Sequence, residues 1–487
     1  MSERSVDLIA VGGGTAGLVL AAGGAGLGAR VALIERDRLG GECLWNGCVP
    51  SKALIAASRA AHTARTAARF GVHAETVRVE FNEVLDHVRR VQARIAPHDS
   101  PERFRGLGVH VVHGSARFVD AHTVQVGDER LRARHVVIAT GTRPTVPPIP
   151  GLADVPHHTN ETIFSIDTLP KTLLVLGGGP IGIELAQAFA RLGSAVVVIE
   201  AEAEFFPRED HDAAALLKAH LEAEGVQMLM RSRVTAVRRE GDEIVLTVSH
   251  DAGSGANDGV STPNATREIR GDTLLVAVGR TPNIEGLGLE TIGVRTDAGG
   301  VITDASLRTG VRGVYAAGDI VSGGLKFTHV ADHMARSVLR NTLFPGSSAV
   351  EYAAVPWVIY TDPELAHVGL TEREARARYG SGVGVWRRDL AGLDRVLADA
   401  GPAGVVKIIS DPQGRVVGGH ILGPHAGDMI GELTMAVTLK LTVTQIASVI
   451  HPYPTTAEAI RQAAELRRKA GFTGWKKSLA GWLARRR

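Results

Sequence analysis

A chain of 487 residues, 44% apolar and 22% charged, is long enough for three or four domains with ordinary packed cores. Two cysteines rule out a disulfide-stapled secreted scaffold, and the lack of any uninterrupted apolar run near ~18 residues rules out a spanning helix. The net charge is only +2, and no basic groove interleaved with aromatics runs through the chain, so nucleic acid is not an expected partner. The first apolar run, Val6 to Val11, reads as a strand and not as a signal peptide, and Gly12-Gly13-Gly14-Thr15-Ala16-Gly17 follows it. Leu18 to Leu27 is Ala-rich and helical in pattern, Gly28 stops it, and a second strand from Arg30 to Ile34 ends at Glu35. Strand, G-x-G-x-x-G, helix, strand and acidic residue, in that order, form a dinucleotide-binding fingerprint. Gly12 permits the tight turn, Gly14 lets a pyrophosphate approach the backbone, Gly17 lets the helix pack closely, and Glu35 is placed to accept from a ribose.

Cys43 and Cys48 come next, in Gly40-Gly41-Glu42-Cys43-Leu44-Trp45-Asn46-Gly47-Cys48-Val49-Pro50-Ser51-Lys52. In a regular helix, residues five apart are separated by about 7.5 Å of rise, beyond the roughly 7 Å between Cα atoms that a disulfide spans. Asn46-Gly47 supplies the break that lets the pair meet. With helix resuming after Pro50, Lys52 lies one turn from Cys48, where a cation favours a thiolate. Read alone, the pair is equally compatible with two free buried cysteines; the flanking fingerprint favours redox use.

Ala53 to Ala96 is helical in pattern, Val109 to Val126 alternates like strands, and Pro144 to Pro150 is a connector. The dinucleotide unit then recurs. Thr172 to Leu176 is apolar, Gly177-Gly178-Gly179-Pro180-Ile181-Gly182 follows, a helix runs from Ile183 to Leu192 with Gly193 as its cap, and Val196 to Ile199 leads to Glu200. Gly177, Gly179 and Gly182 repeat the roles of the first turn. A carboxylate at Glu200 accepts from a ribose 2′-hydroxyl and repels a 2′-phosphate, so NADH is expected in preference to NADPH. Arg208 is the one cation close by in sequence that would admit NADPH if its loop folded back. Two such units imply two nucleotides bound at once, with the thiol pair exchanging electrons with nicotinamide and flavin. Ser249 to Ala265, rich in Gly, Asn, Ser and Asp, reads as a long surface hairpin loop.

From Arg461 onward nine Lys or Arg stand against one acid, Glu465, a local +8 that leaves −6 on the remainder. Phe472, Trp475, Leu479, Trp482 and Leu483 fall at helical spacing there, among Lys476, Lys477 and Arg485 to Arg487. Such a helix either lies on a membrane surface or a partner, or docks on its own protein with its charges solvated.

The chain closely resembles the FAD-dependent pyridine nucleotide–disulfide oxidoreductases, the group of dihydrolipoamide dehydrogenase, glutathione reductase and mercuric reductase. Besides the cysteine segment, the resemblance is carried by Ala139-Thr140-Gly141, Gly279-Arg280-Thr281-Pro282-Asn283, Ala316-Ala317-Gly318-Asp319, Tyr360-Thr361-Asp362-Pro363-Glu364 and Pro454-Thr455-Thr456-Ala457-Glu458. It implies an α/β fold with two Rossmann-like dinucleotide-binding domains and a C-terminal α+β dimerisation domain. Residues 1–150 would bind FAD, 151–275 NAD(P), 276–349 would return to the FAD, 350–460 would form the dimer interface, and 461–487 the basic tail. Cofactor contacts implied by the resemblance include Ala116, Thr140, Gly141, Gly279 and Arg280, with Asp319 on the ribityl chain and Thr328-His329 near the isoalloxazine.

The resemblance also assigns chemistry. Cys48 matches the thiol beside the flavin that forms the charge-transfer complex, and Cys43 the interchange thiol that meets substrate. Lys52 and Glu184 match a pair near the flavin N5, although Glu184 alone also suits a helix-surface acid. Relatives that reduce lipoamide or glutathione carry a histidine directly before Pro-Thr, acting with a glutamate across the dimer. Here Glu458 is present, Tyr453 takes the histidine's place as in mercuric reductases, and His451 lies two residues earlier. With an ordinary pKa near ~10, Tyr453 is a poor base at neutral pH but suits hydrogen bonding or metal ligation, while His451 would serve if the prolines redirect it. The bond before Pro454 is a candidate cis peptide. Glu184 to Ser194 and Phe205 to Asp210 are similar to mercuric reductase, yet the chain ends Leu483-Ala484-Arg485-Arg486-Arg487, without the terminal cysteine pair of those enzymes. The expectation is a cytoplasmic, homodimeric, NADH-dependent flavoprotein with no resident metal. It would reduce a small acceptor: a thiol-bound metal ion, a disulfide or a quinone. The alternatives are a dihydrolipoamide dehydrogenase of a 2-oxoacid complex and a membrane-surface flavoprotein with little turnover.

Overall fold

In the computed structural model, which describes residues 2–250, 266–472 and 474–485, the first apolar run becomes β1 (Ser2–Val11). Leu8, Ile9 and Ala10 are fully buried, as befits a central parallel strand covered on both faces. α1 (Thr15–Gly26) and β2 (Val31–Glu35) follow, then α2 (Gly41–Trp45), α3 (Cys48–Thr66), α4 (Phe81–Ile95) and α5 (Pro101–Gly106). With β3 (His110–His113), β4 (Ala116–Asp120), β5 (Thr123–Val126) and β6 (Glu129–Ile138), the sheet has the order β3-β2-β1-β6-β5-β4. β1 runs parallel to β2 and β6, whereas β4 to β6 form an antiparallel meander.

Two local expectations shift. α3 starts at Cys48, not after Pro50, because first-turn N–H groups have no intrahelical partner and a proline there removes none. The helical stretch from Ala53 to Ala96 is broken at residues 71–80, where Gly71 in the left-handed region (φ 78°) stops the chain.

β7 (Thr142–Pro144) leads to the second unit: β8 (Thr172–Leu176), α6 (Pro180–Leu192), β9 (Ala195–Ile199), α7 (His211–Ala223) and β10 (Val226–Leu229). An antiparallel sheet of β11 (Ser232–Glu240), β12 (Glu243–His250) and β13 (Thr266–Gly271) packs Val234, Val237 and Leu246 into one core with Leu174, Leu176 and Leu274. β14 (Thr273–Val276) then returns beside β8, giving the parallel order β10-β9-β8-β14. Of the loop expected from Ser249 to Ala265, Ser249 and His250 belong to β12, and residues 251–265 lie outside the described residues.

β15 (Arg280–Pro282) pairs with β7, β16 (Thr296–Asp297) with β17 (Gly300–Val301), and β18 (Val314–Ala316) joins β6, bringing the chain back to the first sheet. α8 (Thr328–Leu343) packs on α1, whose small residues let it approach; a Cβ at Gly23 would sit 2.5 Å from Leu339. The last region holds β19 (Pro356–Ile359), β20 (Glu364–Gly369), α9 (Glu372–Tyr379), β21 (Gly384–Asp389), α10 (Asp394–Ala398), β22 (Val405–Ser410) and β23 (Val416–Gly423). Its strands form an antiparallel sheet of order β19-β20-β23-β22-β21. α11 (Ala426–Thr438), α12 (Val443–Ile446) and α13 (Glu458–Ala470) share its core through Leu433, Ile446 and Ile460. α13 runs across residue 461, where the tail is expected to begin, and buries Ala463 and Ala464.

The tail itself is α14 (Trp475–Ala484), which has no buried residue. Phe472, Trp475, Leu479, Trp482 and Leu483 are 44–70% exposed, so the helix is not docked on its own protein through its apolar face. Arg486 and Arg487 lie outside the described residues. No helix among the described residues is long and apolar enough to cross a membrane.

Candidate active site

Both glycine-rich turns open on one cleft of about 1920 Å³. Gly12 (φ 114°) and Gly177 (φ 107°) occupy equivalent places: a Cβ would meet Ala139 O at 2.3 Å in one and Ala277 O at 2.5 Å in the other. A Cβ at Gly17 would lie 1.8 Å from Gly12 O, and one at Gly182 would lie 2.1 Å from Gly177 O, so helix and turn touch through backbone. On the cleft side there is room: nothing comes within 4 Å of a Cβ at Gly179, and only Gly41 Cα, at 3.9 Å, approaches one at Gly14. α1 and α6 begin at these openings, presenting unpaired N–H groups suited to a pyrophosphate.

The two acidic residues are held alike. Glu35 accepts from Gly13 N (2.6 Å) and Asp37 N (2.8 Å), and Glu200 from Gly178 N (2.6 Å) and Glu202 N (2.8 Å). Each carboxylate oxygen keeps a further lone pair for a ribose hydroxyl.

Between the turns lies the thiol pair. α2 ends at Trp45, the chain breaks at Asn46-Gly47, and α3 starts at Cys48, which folds Cys43 back within hydrogen-bonding reach of Cys48. Cys48 Sγ lies 3.5 Å from Thr328 Oγ1 in the first turn of α8. α3 packs on α6, and this contact brings Lys52 to Glu184, 2.7 Å apart. Glu184 also accepts from Tyr360 N (2.9 Å), and Lys52 Nζ sits 4.4 Å from the centre of the Tyr360 ring. The hydrogen bond from Cys43 is the main reason the Cys48 thiol falls from 9.0 to about 6; Thr328 and Lys52 assist it against burial. The same bond, with burial, pushes Cys43 up. The reduced pair therefore carries one proton and one negative charge near neutrality, the charge residing on Cys48.

The walls of the cleft brace this turn. Arg280 forms an ion pair with Glu42, next to Cys43, and donates to Thr142 Oγ1 (2.7 Å) and Thr142 O (3.0 Å), so its guanidinium is committed to protein. Asn160 donates to Glu42 (2.6 Å) and to Asn46 O (3.1 Å). Thr140 and Asn283 exchange hydrogen bonds of 2.8 and 2.9 Å, with Gly141 (φ 65°) and Gly279 (φ 142°) at the crossing points. Ala116 and Asp319 line the cleft, and burial pushes the Asp319 carboxyl upward. His329, also in the wall, bonds Pro356 O at 2.7 Å and stacks on Phe327.

The C-terminal trio lies elsewhere. His451 is tied to Glu432 (2.9 Å), Tyr453 donates to Asp394 (2.8 Å), the Tyr453-Pro454 bond is cis, and Glu458 pairs with Arg461 (2.7 Å). His451, which would serve beside Glu458 if the prolines redirected it, pairs with Glu432 instead, and none of the three lines the cleft of its own chain. Several residues were missed: Asn160, Trp357 and Arg233. Arg233 on β11 lines the cleft with Glu200 and Glu202, so Arg208 is not the one cation near that carboxylate. Arg208 instead lies over the Trp357 ring (5.8 Å), whose indole N–H donates to Glu209 at 2.6 Å. No local motif marks these positions: strand pairing delivers Arg233 on β11 and Trp357 on β19, and Asn160 lies in a turn of the segment between β7 and β8.

A family model described as pyridine nucleotide-disulphide oxidoreductase matches residues 6–335, and the dimerisation domain of the same family matches residues 355–464. The chain is 35% identical to a mercuric reductase of Streptomyces lividans, over 95% of this chain and 96% of the relative. It is 36% identical to a dihydrolipoyl dehydrogenase of Thermus scotoductus, over 95% of this chain and 97% of the relative. Among solved structures, the Cu(II) complex of the HOCl-induced flavoprotein disulfide reductase RclA from Escherichia coli matches with a TM-score of 0.83. That match has 27% identity and covers 95% of this chain and 99% of the other.

Proposed function

The chain belongs to the pyridine nucleotide-disulphide oxidoreductase family of FAD-containing, NAD(P)H-dependent enzymes, and we propose that it passes electrons from NADH through FAD and the Cys43/Cys48 pair to a thiol-bound soft metal ion. The observation that carries this reading is a single cleft in which a lowered-pKa Cys48 stands between two dinucleotide turns, beside Thr328 and the Lys52–Glu184 pair.

FAD, when bound, supplies two-electron exchange between a nicotinamide and a disulfide. In this proposal Gly12, Gly14, Gly17 and Glu35 hold its pyrophosphate and ribose, while Ala116, Thr140, Gly141, Asp319 and Thr328 line the rest of its bed. Gly177, Gly179, Gly182 and Glu200 hold NADH. Gly279 and Arg280 join the two beds, and Arg280 orients the cysteine turn through Glu42. Glu200, a carboxylate at the end of β9 that would repel a 2′-phosphate, supports NADH over NADPH, with Arg208 and Arg233 the cations that line the same cleft. Lys52 places positive charge one turn from Cys48, and Glu184 fixes Lys52.

The reduced pair is a chelate for a soft cation: the metal displaces the single remaining proton and takes both sulfurs as thiolates. Among the described residues no group of three or more His, Cys, Asp or Glu is placed to hold a metal. Metals are named for relatives, mercury in one and Cu(II) in a complex of another. A disulfide or a quinone is the next acceptor class. The matched dimerisation domain exposes Met435, Leu439, Val449, Ile450 and Tyr453, apolar surface suited to a homodimer interface. Tyr453 and Glu458 would then approach the partner's thiol pair. Cysteine usage favours a cytoplasmic setting. The tail, none of whose described residues lines the cleft, is read as a peripheral membrane contact apart from the chemistry.

The test is anaerobic NADH oxidation by the flavin-loaded enzyme, with Hg(II) in excess small thiol, Cu(II) and lipoamide supplied separately. Metal-dependent turnover that disappears in Cys43→Ala is expected. Fast lipoamide turnover with none on either metal would overturn the proposal in favour of a dihydrolipoyl dehydrogenase, with His451 and Glu432 as its base pair. If NADH reduces the flavin but every acceptor is inert, the metal assignment is also lost and quinones become the class to test.

A further inference from the structure

The match to the dimerisation domain ends at residue 464, so α14 is an addition that the common fold does not require. Its pattern is specific. Trp475, Leu479 and Leu483 follow at intervals of four and Trp482 stands one turn from Leu479, so at about 100° per residue all four share one face. Each is 44–70% exposed, although burying side chains of this size is strongly favourable. Lys476 borders the face beside Leu483, and Arg485 borders its other edge. Arg467, Arg468 and Lys469 close the preceding helix, and from Leu466 to the end eight Lys or Arg occur without one acid.

A surface that fits this helix is apolar beneath and anionic above. Pairing with α14 of a second copy would bring like charges together. We propose that α14 docks the enzyme on an anionic phospholipid bilayer, lying in its plane with Trp475, Leu479 and Leu483 in the acyl boundary and Lys476 and Arg485 among the phosphates. The proposal deepens the reading of a membrane-facing tail and does not depend on which acceptor is reduced.

The test is co-sedimentation of the full-length, FAD-loaded protein with vesicles of phosphatidylcholine alone and of phosphatidylcholine mixed with phosphatidylglycerol, at low and high salt. Binding is expected to the mixed vesicles only and to weaken with salt. Lys476→Gln with Arg485→Gln should weaken it about 25-fold, at roughly fivefold per cation near an anionic surface. Trp475→Ser with Leu479→Ser should weaken it about tenfold or more. Flavin reduction by NADH should be unchanged in both variants, which separates failure of the docking from failure of the redox chemistry and shows that the variants fold. Equal binding to neutral vesicles, or no binding to either, would overturn the proposal. So would a fall in oligomeric mass in the Trp475→Ser/Leu479→Ser variant, because a second copy would then be the occupant.

Discussion

Replacing Cys43 with alanine removes the donor that contributes most to the low pKa of Cys48. A hydrogen bond to a charged acceptor contributes roughly 1.5–3 kcal/mol, and each ~1.36 kcal/mol moves a titration midpoint by one pH unit. The midpoint of Cys48 is therefore expected to rise by roughly one to two pH units in Cys43→Ala. It should start from about 6 and remain below 9.0, because Thr328 and Lys52 still favour the thiolate. The assay is the ultraviolet absorbance of the thiolate in reduced protein across pH, corrected with the double Cys43→Ala/Cys48→Ala variant. In the wild type the thiolate should persist as pH falls from 9 and vanish through about 6. Because the folded value lies below the unfolded one, this group stabilises the reduced protein fully above roughly pH 8.5, and the contribution fades as pH falls to the folded value. A wild-type midpoint near 9.0, or one unmoved by Cys43→Ala, would refute the reasoning.

Three further outcomes are expected. Lys52→Met leaves Glu184, with its side chain 7% exposed, without its cation. Because Lys52 is itself 35% exposed, the loss should be about 2–3 kcal/mol in urea unfolding, below the range for fully buried pairs. Adding Glu184→Gln should restore more than half of it. Gly182→Ala places a Cβ 2.1 Å from Gly177 O, so NADH affinity should fall by about tenfold or more, equivalent to ~1.4 kcal/mol, while the flavin-to-protein absorbance ratio stays unchanged. Arg191 has only 4% of its side chain exposed and pairs with both Glu224 and Asp362. Arg191→Met should therefore destabilise by about 3–5 kcal/mol at neutral pH. Against burial, Arg191 holds the Asp362 carboxyl below its ordinary value. That contribution is present above about pH 4 and is lost on acidification, so the variant should lose less stability than wild type between neutral and acid urea titrations.

Both dinucleotide units were legible in the sequence because their demands are local. A turn needing positive φ at Gly12 or Gly177, a helix that must touch that turn at Gly17 or Gly182, and a carboxylate at the end of the next strand are all specified within about one βαβ unit. The break at Asn46-Gly47 was legible for the same reason, and with it the meeting of Cys43 and Cys48. The partners that give those thiols their character were not legible from local pattern. Lys52 reaches Glu184 across 132 residues, Arg280 reaches Glu42 across 238, and Cys48 reaches Thr328 across 280. Resemblance pointed to Lys52, Glu184 and Thr328, but the commitment of Arg280 to Glu42, the entry of Arg233 beside Glu200 and the tie of His451 to Glu432 came only with tertiary packing. The C-terminal helix shows the limit most clearly. Its amphipathic spacing is the same whether the apolar face packs inward or meets solvent, since periodicity defines a face but not what covers it. Only the packed structure, which leaves Trp475, Leu479 and Leu483 exposed, decides between the two.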